Sequence, residues 1–355
     1  MATKKVTIGA TGDILLHKRV YEKARKKDGS FDFAPMFENV KHLFDKDHLI
    51  IVNQESIIGG EELGLKGFPR FNSPIELGYQ LKNMNVDIVN IANNHTFDLG
   101  EEGILKSIEN WEKIGLPYVG AYKSKEDQET LRIFHKNGLR ICMLSFNYAE
   151  GIKTPILPKE KDYLMNNFLN YRFADRKGRL AIIQLINKIK SEDLADIVII
   201  NIHYGKEYQM LPTAKQKEVT QSLSETGAQM IIGHHPHVLQ PFEYVTNSLG
   251  EEVFVAYSLG NFLSGQNGIY RQIGGYLSVD IEEPINGKLW RISNPKLNLT
   301  YVDSLEDGHY KMHLLKDVVD STEKISTNIG EFDSKQVYNR MISHVTQWMP
   351  ELKVK

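Results

Sequence analysis

Three histidines fall within four positions of the 355-residue chain, in Gly233-His234-His235-Pro236-His237. Neutral imidazoles that close resist being protonated together and invite a cation instead. Four more clusters carry side chains of the same kind: Gly12-Asp13, Asn53-Gln54-Glu55, Asn93-Asn94-His95 and His203-Tyr204-Gly205. Each is weak alone. A Gly-Asp pair is a common turn, Asn-Asn-His suits a helix cap, and a histidine ending an apolar run often packs in a core. Together they offer oxygen and nitrogen donors suited to Mn, Fe, Zn, Co or Mg. Thiolates are not needed: the single cysteine, Cys142, sits in an apolar run and reads as core.

Each cluster ends a short apolar run of strand character, at 6–10, 48–52, 87–92, 196–202 and 229–232. Helical patterns over 15–27, 35–44, 74–84, 101–114, 178–190 and 213–226 alternate with these strands. Asn137-Gly138 joins two strands, 131–134 and 139–146, through a two-residue turn. Later strands are expected at 252–257, 276–281 and 289–301, and a terminal helix at 334–348. Residues 147–176 read as a surface excursion. Such alternation predicts α/β layers with much parallel pairing. In layered α/β folds ligands bind at the carboxyl ends of the strands, so five distant segments should converge on one cleft.

Composition narrows the function classes. Hydrophobic residues make up 41% and charged ones 25%, an ordinary globular balance for a chain long enough to bury a large core. Lys plus Arg number 43 against 45 Asp plus Glu, without the basic excess of a dedicated nucleic-acid binder. No apolar stretch reaches membrane-spanning length. No phosphate-binding Gly-x-x-x-x-Gly-Lys-Ser/Thr loop occurs, so ATP-driven ligation belongs to another protein. Residues 18–27 carry six positive side chains in ten positions, a solvated helix face or a landing strip for a polyanion.

Six segments in order then resemble the CapA family, whose members serve in poly-γ-glutamate capsule biosynthesis. They are Thr11-Gly12-Asp13-Ile14-Leu15, Val52-Asn53-Gln54-Glu55, 91–100 around Asn93-Asn94-His95, His203-Tyr204-Gly205-Lys206-Glu207-Tyr208, 233–241 around the histidine cluster, and Tyr257-Ser258-Leu259-Gly260-Asn261-Phe262. That family in turn resembles the calcineurin-like metallophosphoesterases. The resemblance implies an α/β fold, a four-layer α/β/β/α sandwich of the metallophosphatase type. The resembling segments span about residues 6–280, so the domain is expected over 1–282, with 283–355 adding C-terminal strands and a helix packed on the same domain.

By the same resemblance, two divalent metal ions occupy a cleft at the strand ends. Asp13 and His237 bind the first, Glu55 bridges, and Asn94, His203 and His235 bind the second. His95 protonates a leaving group or steadies an oxyanion, oriented by Asp98. Glu207 and Asn261 line the cleft, and Arg70 contacts an anion. Two departures from the phosphoesterase pattern stand out. Leu15 replaces a histidine two positions after Asp13, leaving His17 as a substitute ligand or a helical surface residue. Glu55 is one methylene longer than the usual bridging aspartate.

The expected partner is an anionic polymer, poly-γ-glutamate, or a phosphorylated small molecule, alongside membrane-bound capsule-synthesis proteins and without nucleic acid. The expected location is extracytoplasmic and membrane-associated for a trimmed chain, and cytoplasmic for a complete one. Three readings stay open: a metal-dependent phosphoesterase, a polymer-assembly component, and a metal-free scaffold.

Overall fold

The computed structural model describes residues 4–45, 48–150, 157–167, 176–283, 290–304 and 310–355. Four parallel strands open the first sheet: β1 (Lys5–Leu15), β2 (Leu49–Gln54), β3 (Ile88–Asn90) and β4 (Tyr118–Val119). The second sheet holds β5 (Arg132–Lys136), β6 (Leu139–Ala149), β7 (Ile197–Gly205), β8 (Met230–His234), β9 (Phe242–Thr246) and β10 (Glu252–Ala256). Its order is β5-β6-β7-β8-β10-β9, with β6, β7, β8 and β10 parallel. The chain then returns to the first sheet. There β11 (Asn261–Ser264) pairs with β1, and β12 (Ile273–Glu282), β13 (Arg291–Ser304) and β14 (Tyr310–Leu314) extend the other edge antiparallel.

Side-chain alternation along the strands explains the layering. In β2, Leu49 and Ile51 face one hydrophobic cluster while Ile50 and Val52 face another. In β7, Ile197 and Ile199 join the cluster shared with β2, and Val198, Ile200 and Ile202 join a third. The shared cluster is therefore the inter-sheet core. The cluster of Ile50 and Val52 packs the outer face of sheet one beneath α1 (Lys18–Ala24), α2 (Ala34–Phe37), α3 (Glu76–Asn83) and α4 (Gly100–Ile114). The short α5 (Lys125–Glu129) lies at the crossing between sheets, and α6 (Arg176–Ser191) and α7 (Ala214–Ser224) cover sheet two. Three apolar interfaces make four layers, α/β/β/α. Val337, Met341 and Val345 of the C-terminal helix extend the inter-sheet core.

Several boundaries differ from the sequence expectation, for local reasons. β1 does not stop at Gly12-Asp13. It runs on through Asp13 because Asp13 N–H donates to Gly260 O at 2.8 Å, switching partners to β11 with a register shift. Glycine is required at position 12, where a Cβ would lie 2.3 Å from Gly260 O. Consequently α1 starts only at Lys18, and Leu15 and Leu16 are buried in extended chain instead of opening a helix. Hairpin β5–β6 turns at Asn137 and Gly138, both with positive φ as the two-residue turn demands. α7 opens with a capping box between Thr213 and Gln216. Within the supposed excursion, residues 151–156 and 168–175 lie outside the described ones. Leu164 and Met165 are buried in the sheet-one core, so that stretch is not wholly surface. Leu289, the expected start of β13, is likewise outside the described residues. No described helix is long and apolar enough to cross a membrane.

Candidate metal centre

Strand register assembles the site. Asn261 of β11, Asp13 of β1, Asn53 of β2 and Asn90 of β3 are successive register partners, one polar row across sheet one. Asn147, His203 and His234 make the matching row across β6, β7 and β8. Both rows lie toward the carboxyl ends of parallel strands. A buried hydrogen-bond chain links the sheets: Ser145 Oγ donates to Asn90 Oδ1, Asn90 Nδ2 to Asn53 Oδ1 (2.8 Å), and Asn53 Nδ2 to Asp13 Oδ1 (2.7 Å). His235 N–H holds the other oxygen, Asp13 Oδ2, at 3.2 Å.

Glu55, immediately after β2, is the hub. It is fully buried, and neither carboxylate oxygen has a hydrogen-bond partner among the described residues. Three imidazole nitrogens point at its Oε1: His203 Nε2 at 3.5 Å, His237 Nε2 at 3.7 Å and His95 Nε2 at 3.9 Å. Two groups of donor atoms share it. Glu55, His203 and His235 form one, and Asp13, Glu55 and His237 the other, each with its donors within 4.8 Å of one another. On the first side, His203 Nε2 also lies 2.7 Å from Asn94 Oδ1 and 3.1 Å from His235 Nδ1. Donors around a divalent ion with bonds of about 2.0–2.2 Å sit about 3–3.5 Å apart, so this spacing suits a coordination shell.

His235 and His237 both adopt positive φ, 98° and 58°. Backbone held there costs about 1–3 kcal/mol per residue and persists where the surroundings impose it. In this loop it turns both rings into the cleft from either side of Pro236.

Burial and close neighbours set the protonation states of the floor. Burial pushes the Glu55 carboxyl up to about 8, Asp13 adding to the rise while His237 and His95 oppose it. Burial lowers His237, but Glu55 and Asp13 outweigh it and raise the ring to about 9. His203 and His235 are driven well below the usual histidine range, chiefly by burial. Burial would raise Asp13, yet His234 and His237 hold it well below the ordinary carboxylate range. Orphaned buried oxygens and nitrogens facing one another are the donor set a divalent cation satisfies. The residues fit such an ion.

The cleft above this floor has a volume of about 540 Å³ and is walled by His17, Arg19, Phe68–Phe71, Asn94, His95, Asp98, Glu207, Tyr208 and Arg271. His95 Nδ1 is 2.8 Å from Asp98 Oδ2, whose carboxylate also accepts Phe71 N–H. Arg70 and Glu207 stand exposed on the wall. Asn261 does not line the cleft. It is buried behind His237, its Oδ1 on His237 Nδ1 at 2.9 Å and its amide donating to Gln266 Oε1 and Arg271 O. His17 belongs to neither donor group. It precedes α1, accepts Gly265 N–H at 3.3 Å, packs edge-on against Phe71, and burial lowers it to about 4. Sequence reasoning counted His234 in the histidine cluster without giving it a role, and its Nδ1 is 3.3 Å from Asp13 Oδ1; it passed over the Asn53–Asn90 relay. Asparagines inside the apolar runs ending β2 and β3 were the available signal.

The family described as "Bacterial capsule synthesis protein PGA_cap" matches residues 7–266. The chain belongs to this family. Among its relatives, "PGA biosynthesis protein CapA" of Bacillus subtilis (strain 168) is 29% identical over 269 residues, 72% of this chain and 62% of that protein. "Capsule biosynthesis protein CapA" of Bacillus anthracis is 26% identical over 275 residues, 74% of this chain and 61% of that one. The chain thus spans about three fifths of the length of these CapA relatives. A hypothetical protein from Thermus thermophilus aligns in structure at a TM-score of 0.47 and 14% identity, covering 82% of this chain and 99% of that chain. Every donor at the floor, from Asp13 to His237, falls inside the residues matched to the capsule-synthesis family, whereas Arg271 on the wall falls beyond them.

Proposed function

We propose that this chain serves poly-γ-glutamate capsule biosynthesis or export through a cleft that holds two divalent metal ions on either side of Glu55 and takes an anionic substrate. One observation carries the reading: the unpartnered, buried Glu55 carboxylate with His203 and His237 converging on it from sheet two and His95 from sheet one. Asp13 and His237 would complete one metal position, and His203, His235 and Asn94 the other. Divalent ions held there would supply Lewis-acid stabilisation of negative charge and a more acidic water. Carboxylates and phosphates are both good ligands for such ions, which fits an anionic polymer or a phosphate ester.

A second reading, hydrolysis of a phosphate ester, is favoured by His95. Its Nδ1 is fixed by Asp98 and its Nε2 faces the floor, so it can hold a proton at Nε2 for a departing oxygen or donate to an oxyanion. Asp98 sets the tautomer and Phe71 packs the ring edge-on at 4.7 Å.

Two measurements on the full chain separate the possibilities. Metal content after dialysis against Mn²⁺ should reach two per chain; none bound would leave a metal-free scaffold and overturn the proposal. Turnover of a generic phosphodiester with Mn²⁺, abolished in His95→Ala at unchanged metal content, supports hydrolysis. Metal-dependent binding of polyglutamate without turnover supports polymer assembly alone.

A further inference from the structure

The cleft wall is built to read charge, separately from the floor. Three arginines from distant segments, Arg19, Arg70 and Arg271, line the same cleft. Three arginines elsewhere are paired with carboxylates: Arg25 lies 3.1 Å from Glu22, Arg132 beside Asp127, and Arg140 2.8 Å from Asp196. Among the described residues no carboxylate pairs with Arg19, Arg70 or Arg271. Two of the three are nevertheless held in place by uncharged contacts. Arg19 donates one N–H to Gly265 O. Arg271 stacks its guanidinium 3.9 Å over the Tyr208 ring, and that ring lies 6.1 Å from the His237 ring. Tyr208 itself sits at φ 64°, a strained backbone that turns it over the floor. Two carboxylates share the wall, and neither forms an ion pair with these arginines among the described residues. Asp98 is committed to His95 and Phe71 N–H, and Glu207 is exposed next to Tyr208 in sequence.

Arg70 also lines an adjoining groove of about 480 Å³ together with Lys66, Asp98 and Glu102. Arg70 therefore borders both the cleft over the floor and a groove of balanced charge leading away from it. A guanidinium presents a planar fork of donors that fits a carboxylate two-fold.

Resting on the reading of the floor given above, we infer that Arg19, Arg70 and Arg271 form an anion subsite. It binds carboxylates of a chain substrate next to the group seated at the floor. The ligand is a flexible chain with carboxylates spaced along it, longer than one cleft. The arginines determine specificity; they do no chemistry.

The test measures binding of three probes to the full chain by calorimetry: a short γ-linked glutamate oligomer, the same oligomer with its carboxylates amidated, and inorganic phosphate. The variants are Arg70→Gln, Arg271→Gln and the double variant, with thermal unfolding and metal content checked against wild type. Each substitution should weaken the glutamate oligomer about 10-fold or more, the scale of a hydrogen bond to a charged group. Phosphate affinity should be unchanged, and the amidated oligomer should bind weakly to all forms. Equal oligomer affinity in the double variant, tight binding of the amidated oligomer, or no oligomer binding to wild type would each overturn the subsite. Phosphate and oligomer weakened alike would also overturn it, since the arginines would then belong to the floor. Failure of wild type to take up Mn²⁺ would sink the metal reading instead, and the oligomer comparison on metal-free protein would still decide this one.

Discussion

Both sides of Glu55 are built on histidine, yet the rings end in opposite protonation states. On one side His203 and His235 face each other and Asn94, and burial drives both rings to the neutral form. On the other, His237 faces Asp13 and Glu55, whose charges raise it to about 9. Neutral rings are ready ligands; a protonated ring must first give up its proton. The contrast teaches that one cleft can hold a position that gives up one proton, that of Glu55, beside a position that gives up two.

That comparison can be broken at four points, in falling order of effect. Glu55→Gln removes the shared carboxylate, so affinity at both positions should fall more than about 100-fold, beyond what outer-shell changes produce. Calorimetric titration with Mn²⁺ checks this, and loss confined to one side would end the idea of a bridge. Next, His235→Ala and His237→Ala should each lower bound metal from two per chain to one, measured by elemental analysis. Loss of both in either variant would mean the sides are not separable.

The third effect is pH dependence, and its sign follows from the raised groups. Glu55, at about 8, and His237, at about 9, hold protons below those values, and metal must displace them. Affinity at the His237 side should therefore weaken as pH falls, by about tenfold per pH unit for each proton released. The His203–His235 side shares only the Glu55 proton and should show a shallower slope. Titrations across a pH series in the single-histidine variants read the two slopes, and equal slopes would contradict the contrast. Smallest is Asn53→Ala, which frees Asp13 Oδ1 from its 2.7 Å hydrogen bond. Metal affinity should drop about 10–100-fold at the Asp13 side alone, as outer-shell losses do.

The floor was legible in the sequence because it hangs on regular elements. Asp13, Glu55, His203 and His235 each follow an apolar run toward the carboxyl end of a strand, and those ends converge by register. The same alternation made α/β layers with parallel pairing legible, whereas the four-layer arrangement followed from the resemblance to the CapA family and not from the pattern itself. Harder to read was anything set by contact between remote segments. Asn261 looked like a cleft residue, yet its strand pairs with β1 and buries it behind His237. His17 looked like a ligand or a surface residue. Instead, the continuation of β1 past Asp13 delays α1 and wedges the ring between Gly265 and Phe71. Arg19 stood in the basic run 18–27, which suggested a polyanion without placing it at this cleft, and Arg271 gave no signal, because no periodicity encodes the meeting of such short elements.

The central claim is that Glu55 sits between two metal positions. An anomalous-difference map from crystals soaked in Mn²⁺ tests it most directly. The account predicts two peaks flanking the Glu55 carboxylate, one bordered by Asp13 and His237 and the other by His203, His235 and Asn94. An empty floor, or a single peak that Glu55 does not touch, would contradict it.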